Sequence, residues 1–255
     1  MRVRAGIALV VAMLLSPTAF ASPVMAATDL LPDMRMAPIY SIQIATGDHG
    51  RKKLRFGTIA FNDGDGPLEV RGKARRGGEM TLIRQWIYES DATSHGVLKS
   101  DAEIFYARDG HDHWHVSRFI VVRLRPNPGT SASERRIRKL GFCLVDSAQA
   151  PASQRPPNAV NIPQYGDCGW SKSSRVTLGV SVGWGDNYPP EFTFQSIDVS
   201  GLPQGSYRIC ATVNPKGIWT EKNNNFSNNS YWMDLDLNVA TNQLTVTNTG
   251  ETACW

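Results

Sequence analysis

The sequence predicts an all-β fold, a single-domain β-sandwich with long loops and little helix. Short runs of alternating or β-branched residues recur along the 255-residue chain, sustained helical periodicity is absent, and clusters of turn-forming residues separate the runs. A chain of this length can bury one good core.

Taken in order, the runs Ile39 to Ala45 and Leu54 to Phe61 come first, and Asn62 to Pro67 (NDGDGP) follows as a turn. Met80 to Tyr88 is the third run, introduced by a turn at Arg75 to Glu79 (RRGGE). Phe119 to Leu124 and Arg175 to Val182 flank Ala148 to Pro163 (AQAPASQRPPNAVNIP), which is too proline-rich for regular structure and reads as an extended surface crossing. After the turn Gly201 to Gly205 (GLPQG) comes the clearest strand: Tyr207, Ile209, Ala211 and Val213 face one way, Arg208, Cys210 and Thr212 the other. Leu244 to Thr247 is the last run.

A segment of another kind precedes the first strand. Arg2 and Arg4 stand before an apolar run from Ala5 to Leu15, with small-residue cleavage options after Ala21 and Ala26. Residues 1–26 therefore read as a secretory signal peptide and 27–255 as the exported domain. No later run has the apolar length of a membrane span. The formal charge of +4 counts Arg2 and Arg4, so the mature domain is nearly neutral with its charges interspersed, and nothing argues for nucleic acid.

Four cysteines in an exported chain predict two disulfides. Of the three pairings, Cys143 with Cys168 and Cys210 with Cys254 close moderate loops, the first tying the ends of the proline-rich crossing and the second pinning the C-terminus. By loop entropy each contributes about 3–4 kcal/mol.

The stretch ARDGHDHWHVSRF places His111, His113 and His115 at alternate positions. On an extended strand such residues share a face, but at about 3.4 Å per residue the outer pair is too far apart for one ion without a bend, which Gly110 can supply. No cysteine lies beside them, so a structural Cys/His zinc site is disfavoured. Neutral imidazoles suit copper and zinc alike, and the triplet alone does not choose. His49 and His95 read as ordinary polar positions near loops.

Separated stretches then carry a likeness. KLRFGTIAFNDGDGPLEV (Lys53 to Val70), HDHWH, KLGFCLVDS (Lys139 to Ser147), GWGDNYPPEFTFQSIDVSGLPQGSY (Gly183 to Tyr207), VNPKGIWTE and FSNN follow one another in an order that resembles the lysyl oxidase family over most of the mature chain. The resemblance implies copper on His111, His113 and His115, and a lysine tyrosylquinone cofactor made from Lys139 and Tyr188. It implies oxidation of a primary amine, on a peptidyl lysine or a small molecule, to an aldehyde with release of ammonia and hydrogen peroxide from O2. Asp186, two residues before Tyr188, is the candidate base for the proton on the carbon beside the nitrogen. Burial would favour the neutral amine of Lys139, and a strand pinned by the Cys143 bridge would hold it in place.

The same likeness suggests calcium between Asp29-Leu30 and the oxygen-rich stretch Thr220 to Asn229, with Glu221, Asn225, Asn228 and Asn229 as donors. Around Trp184 and Gly185, and at Phe194 and the Tyr188-Pro189-Pro190 step, the chain departs from the animal-type pattern, which bears on the substrate entrance. Two alternatives to the oxidase are a zinc hydrolase built on the same histidines and a secreted β-sandwich binding module without the cofactor.

Overall fold

The computed structural model describes residues 26–74, 80–108 and 112–255. The expected leader apart from Ala26, the expected turn at Arg75 to Glu79, and Gly110 with His111 lie outside the described residues.

Among those residues, strands form three antiparallel sheets and the only helical pieces are short 3-10 turns. The largest sheet runs in the order Gly141–Phe142, Trp114–Ser117, Ile104–Tyr106, Met80–Glu89, Leu68–Ala74, Arg175–Val180, with Asp29–Leu30 and Ser94–Leu98 also paired to Met80–Glu89. A second sheet orders Arg135–Arg136, Ile120–Pro126, Gly205–Val213, Ser230–Asn238 and Gln243–Gly250. The third is built on Lys52–Asn62, which pairs with Trp184–Tyr188, Ser196–Asp198, Met34–Met36 and Tyr40–Thr46, while Ala148–Gln149 adds to the far side of Trp184–Tyr188. Every run expected from the sequence is a strand here, with ends displaced by a few residues.

One core joins the three sheets. Phe56 and Leu54 come from the third, Val70, Ile83 and Trp114 from the first, and Val122, Ile209 and Leu235 from the second. Of the alternation expected at Tyr207 to Val213, Tyr207, Ile209, Ala211 and Val213 are buried and Arg208 and Thr212 half-buried, while Cys210 on the other face is buried too, in its disulfide with Cys254. Apolar area removed from water stabilises the fold by about 25 cal/mol per Å2, so the burial of these inward rows is what sets strand register.

Both expected disulfides are present, with Cα separations of 5.7 Å for Cys143–Cys168 and 6.0 Å for Cys210–Cys254. The first matters for position. Its Cys168 carbonyl accepts the Trp114 N–H at 3.1 Å, and Leu144, next to Cys143, accepts the Gly179 N–H at 3.0 Å. The proline-rich crossing between the two cysteines has mostly exposed or half-buried residues, apart from buried Ala150. No helix of the described residues is long and apolar enough to cross a membrane.

Candidate active site

His115 sits on the strand Trp114–Ser117, opposite Phe105, and is buried. His113 lies one residue before that strand. Asp112, just before His113, has a left-handed φ of 45°, and its carbonyl accepts the Tyr106 hydroxyl at 2.6 Å. The Nε2 atoms of His113 and His115 come to 2.9 Å, with ring centroids 4.7 Å apart. Two donors each about 2.0 Å from one ion and at right angles have this separation, so the pair fits an imidazole-bound metal.

The position of His115 depends on a glycine. A Cβ on Gly141 would stand 2.5 Å from His115 Nδ1 and 2.5 Å from the Phe105 ring, so only hydrogen fits between the edge strand and the imidazole. Gly141→Ala should therefore turn the His115 ring and lower metal affinity about 10- to 100-fold, the usual cost of disturbing a ligand's support. Copper titration checks it, and unchanged affinity would show that His115 is not held this way.

Gly141 follows Lys139 by two residues, so the strand that leaves room for His115 is continuous with the link that carries one member of the expected cofactor pair. Lys139 is not on a strand, in contrast to the sequence reading; it lies in the irregular link between Arg135–Arg136 and Gly141–Phe142. It is buried all the same, with Nζ 4.6 Å from the centre of the Tyr188 ring and 5.4 Å from that of Phe142. Tyr188 ends the strand Trp184–Tyr188, donates its hydroxyl hydrogen bond to the Cys143 carbonyl at 2.9 Å, and meets Phe142 and Phe192 edge-on. The Cys143–Cys168 bridge thus links the acceptor of the phenol to the carbonyl that holds Trp114, between the two histidines.

Asp186 is on the same strand two residues before Tyr188, hence on the same face, and is 1% exposed. It is not a turn carboxylate. Burial pushes its carboxyl well above the ordinary carboxylate range, against the opposing pull of the Tyr188 hydroxyl and the Lys139 charge. Burial likewise raises the Tyr188 phenol, helped by the Asp186 charge. Asp186 Oδ2 is buried with no hydrogen-bond partner among the described residues. Such an orphan costs about 1–3 kcal/mol or more, and an acid kept in this state beside a phenol and an amine is a functional signature.

The expected oxygen-donor site is divided. Asp29 places its carboxylate among Glu89 and His95, so that His95 is a strand residue 2.9 Å from Glu89 instead of a loop position, and Leu30 pairs with Tyr88. His49 is exposed in a 3-10 turn. Asn225 Oδ1 accepts from Ser227. Buried Glu221 accepts from the Met34 N–H, Asn214 and Asn229, and Asn228 donates to Asp33 at 2.8 Å. Asn228 Oδ1 and Asn229 Oδ1 are buried acceptors with no donor among the described residues. The acid that meets Asn228 is Asp33, four residues beyond Asp29, while Asp65 pairs with Lys222. The sequence signal for it was the second Asp-plus-apolar pair of the N-terminal segment, Asp33-Met34.

Fold and site together define an all-β sandwich with an imidazole pair at one strand of the first sheet and, at the end of Trp184–Tyr188 in the third, a buried lysine–tyrosine contact beside a buried carboxyl. The family model described as Lysyl oxidase matches residues 103–249, and the chain belongs to the lysyl oxidase family. No curated protein matches the chain.

Proposed function

We propose that the protein is an exported, copper-dependent amine oxidase of the lysyl oxidase kind, with residues 27–255 as its catalytic domain and 1–26 as a leader. The observation that carries this reading is the buried Lys139 amine 4.6 Å from the Tyr188 ring centre. A hydrolytic zinc centre has no use for that contact, and a binding module has no reason to bury it.

His111, His113 and His115 would hold the copper, and Lys139 and Tyr188 would form the lysine tyrosylquinone. Together with O2 these groups would supply the oxidising power, the electrophilic carbonyl and the electron sink for converting a primary amine to an aldehyde, with ammonia and hydrogen peroxide as the other products. The chain's own residues do the rest. The Cys143 carbonyl fixes the phenol, and Phe142 and Phe192 limit its ring to one orientation. Asp186 takes the proton from the substrate carbon; burial raises its carboxyl and so makes its carboxylate a stronger base than an exposed one. Copper-loaded, aerobically incubated protein should yield, on digestion, one cross-linked peptide pair joining Lys139 to Tyr188. Recovery of both peptides unmodified defeats the reading.

A calcium ion belongs to the same reading, held by Asp33, Asn228 and Asn229, whose orphaned amide oxygens would gain a partner. Chelating calcium should lower the thermal midpoint by about 2–8 °C, equivalent to 1–2 kcal/mol in a domain of this size. Asp33→Ala should start from the lowered midpoint and be insensitive to chelator. An equal chelator response in both proteins rejects the site.

A further inference from the structure

The segment that delivers Lys139 to Tyr188 carries a row of charges on its other side. Residues 135–139 are Arg-Arg-Ile-Arg-Lys; Ile137 and Lys139 are buried, while Arg135, Arg136 and Arg138 are exposed. These three arginines meet Arg51 around a cleft of about 280 Å3 whose other walls are Asp198 and Ser200. Asp198 lies 3.6 Å from Arg51, and Glu134 is shared by Arg125 and Arg136. Arg135 shares the charge of Asp198 with Arg51 at longer range, and Arg138 makes no ion pair among the described residues. The cleft is tied to the Tyr188 region through the chain: Lys139 directly follows Arg138, and the strands behind the cleft reach the residues after Tyr188. Its Ser196–Asp198 wall pairs with residues 53–55, and Arg55 Nη1 donates to the carbonyl of Pro190, two residues past Tyr188, at 2.7 Å.

Substrate amines are cations in water before they react. An arginine-lined surface beside the site repels polyamines and basic chains, and its guanidinium forks match carboxylates in geometry and charge. We propose that the Arg51, Arg135, Arg136 and Arg138 cleft docks the carboxylates of an acidic polypeptide that displays the reacting amine. Lysines set among Asp and Glu are then oxidised in preference to lysines on basic chains. This deepens the amine-oxidase reading and rests on it.

Two measurements on copper-loaded, full-length protein separate the two claims. The first is binding, by fluorescence anisotropy, of matched peptides with acidic, neutral or basic flanks and norleucine in place of lysine. The acidic peptide should bind tightest, weaken as salt rises, and lose about tenfold in affinity in Arg135→Ala/Arg138→Ala, two surface charge pairs' worth. The second is kcat/KM for the lysine-containing peptides, with benzylamine as an uncharged-bodied control. The double variant should lose the acidic preference by a similar factor and keep its benzylamine rate. Equal binding of all three peptides, a double variant that binds like the parent, or binding of a sulfated polysaccharide with no preference for the acidic peptide overturns the docking site. Selective binding without oxidation of any amine overturns the oxidase reading and leaves the docking result standing.

Discussion

Tyr188→Phe should lower amine turnover to the uncatalysed level, at least about 10⁶-fold, and abolish both quinone staining and the Lys139 cross-link. The reason is chemical, since a ring without the phenol oxygen cannot become the quinone. The structural cost is small by comparison. The Cys143 carbonyl loses its donor, about 1–3 kcal/mol at a buried site, so the variant should still fold, with both disulfides formed and its circular dichroism unchanged. Lys139→Ala should be as inactive as Tyr188→Phe, and the double variant no worse than either, because the two residues act as one unit. Residual turnover of even a few per cent in Tyr188→Phe would mean that the electrons go elsewhere.

Asp186→Asn separates making the cofactor from using it. The cross-link should form, because its two partners remain, while kcat falls about 10²- to 10⁴-fold, the range for loss of a positioned acid or base. Stability should move the other way. The Asp186 carboxyl is raised in the folded protein, so ionisation of the unfolded chain above the ordinary value of 3.8 weakens the fold as pH rises. The stability attached to this raised group is fully present below that value and lost as pH climbs through the folded one. An asparagine has no such loss. The variant should therefore match the parent in strong acid and exceed it near neutrality, measured by denaturant unfolding across pH. A variant less stable than the parent at neutral pH would show that Asp186 is an ion-pair partner of Lys139 in place of a strained acid, and unchanged kcat would remove it from the mechanism.

How far the sequence reaches can be judged from particular elements. Tyr207 to Val213 was legible because inward and outward residues alternate without interruption. Ser230–Asn238 was missed although Tyr231, Met233, Leu235 and Leu237 are its buried row, and the signal was there to find. Leu68–Ala74 was hidden by charge and glycine in LEVRGKA; its place comes from pairing with Arg175–Val180 and Met80–Glu89 on both sides, which no local pattern reports. Gly141, Phe142 and the Cys143 carbonyl were inside a recognised motif, but their tasks of clearing His115, packing Tyr188 and holding its hydroxyl needed coordinates. His111 is outside the described residues, so the full triplet still rests on its spacing.

By itself the sequence determined the all-β class and the strand periodicity, favoured the cysteine pairing found, and supplied the histidines, lysine and tyrosine that the proposed copper and quinone would use, because each of these depends on residues and spacing along one chain. Tertiary structure alone decided that Lys139 reaches Tyr188 from an irregular link and that Asp33 meets Asn228. Those are contacts between segments from different sheets. They are set by how whole faces pack to exclude water, and no run of neighbouring residues carries that information.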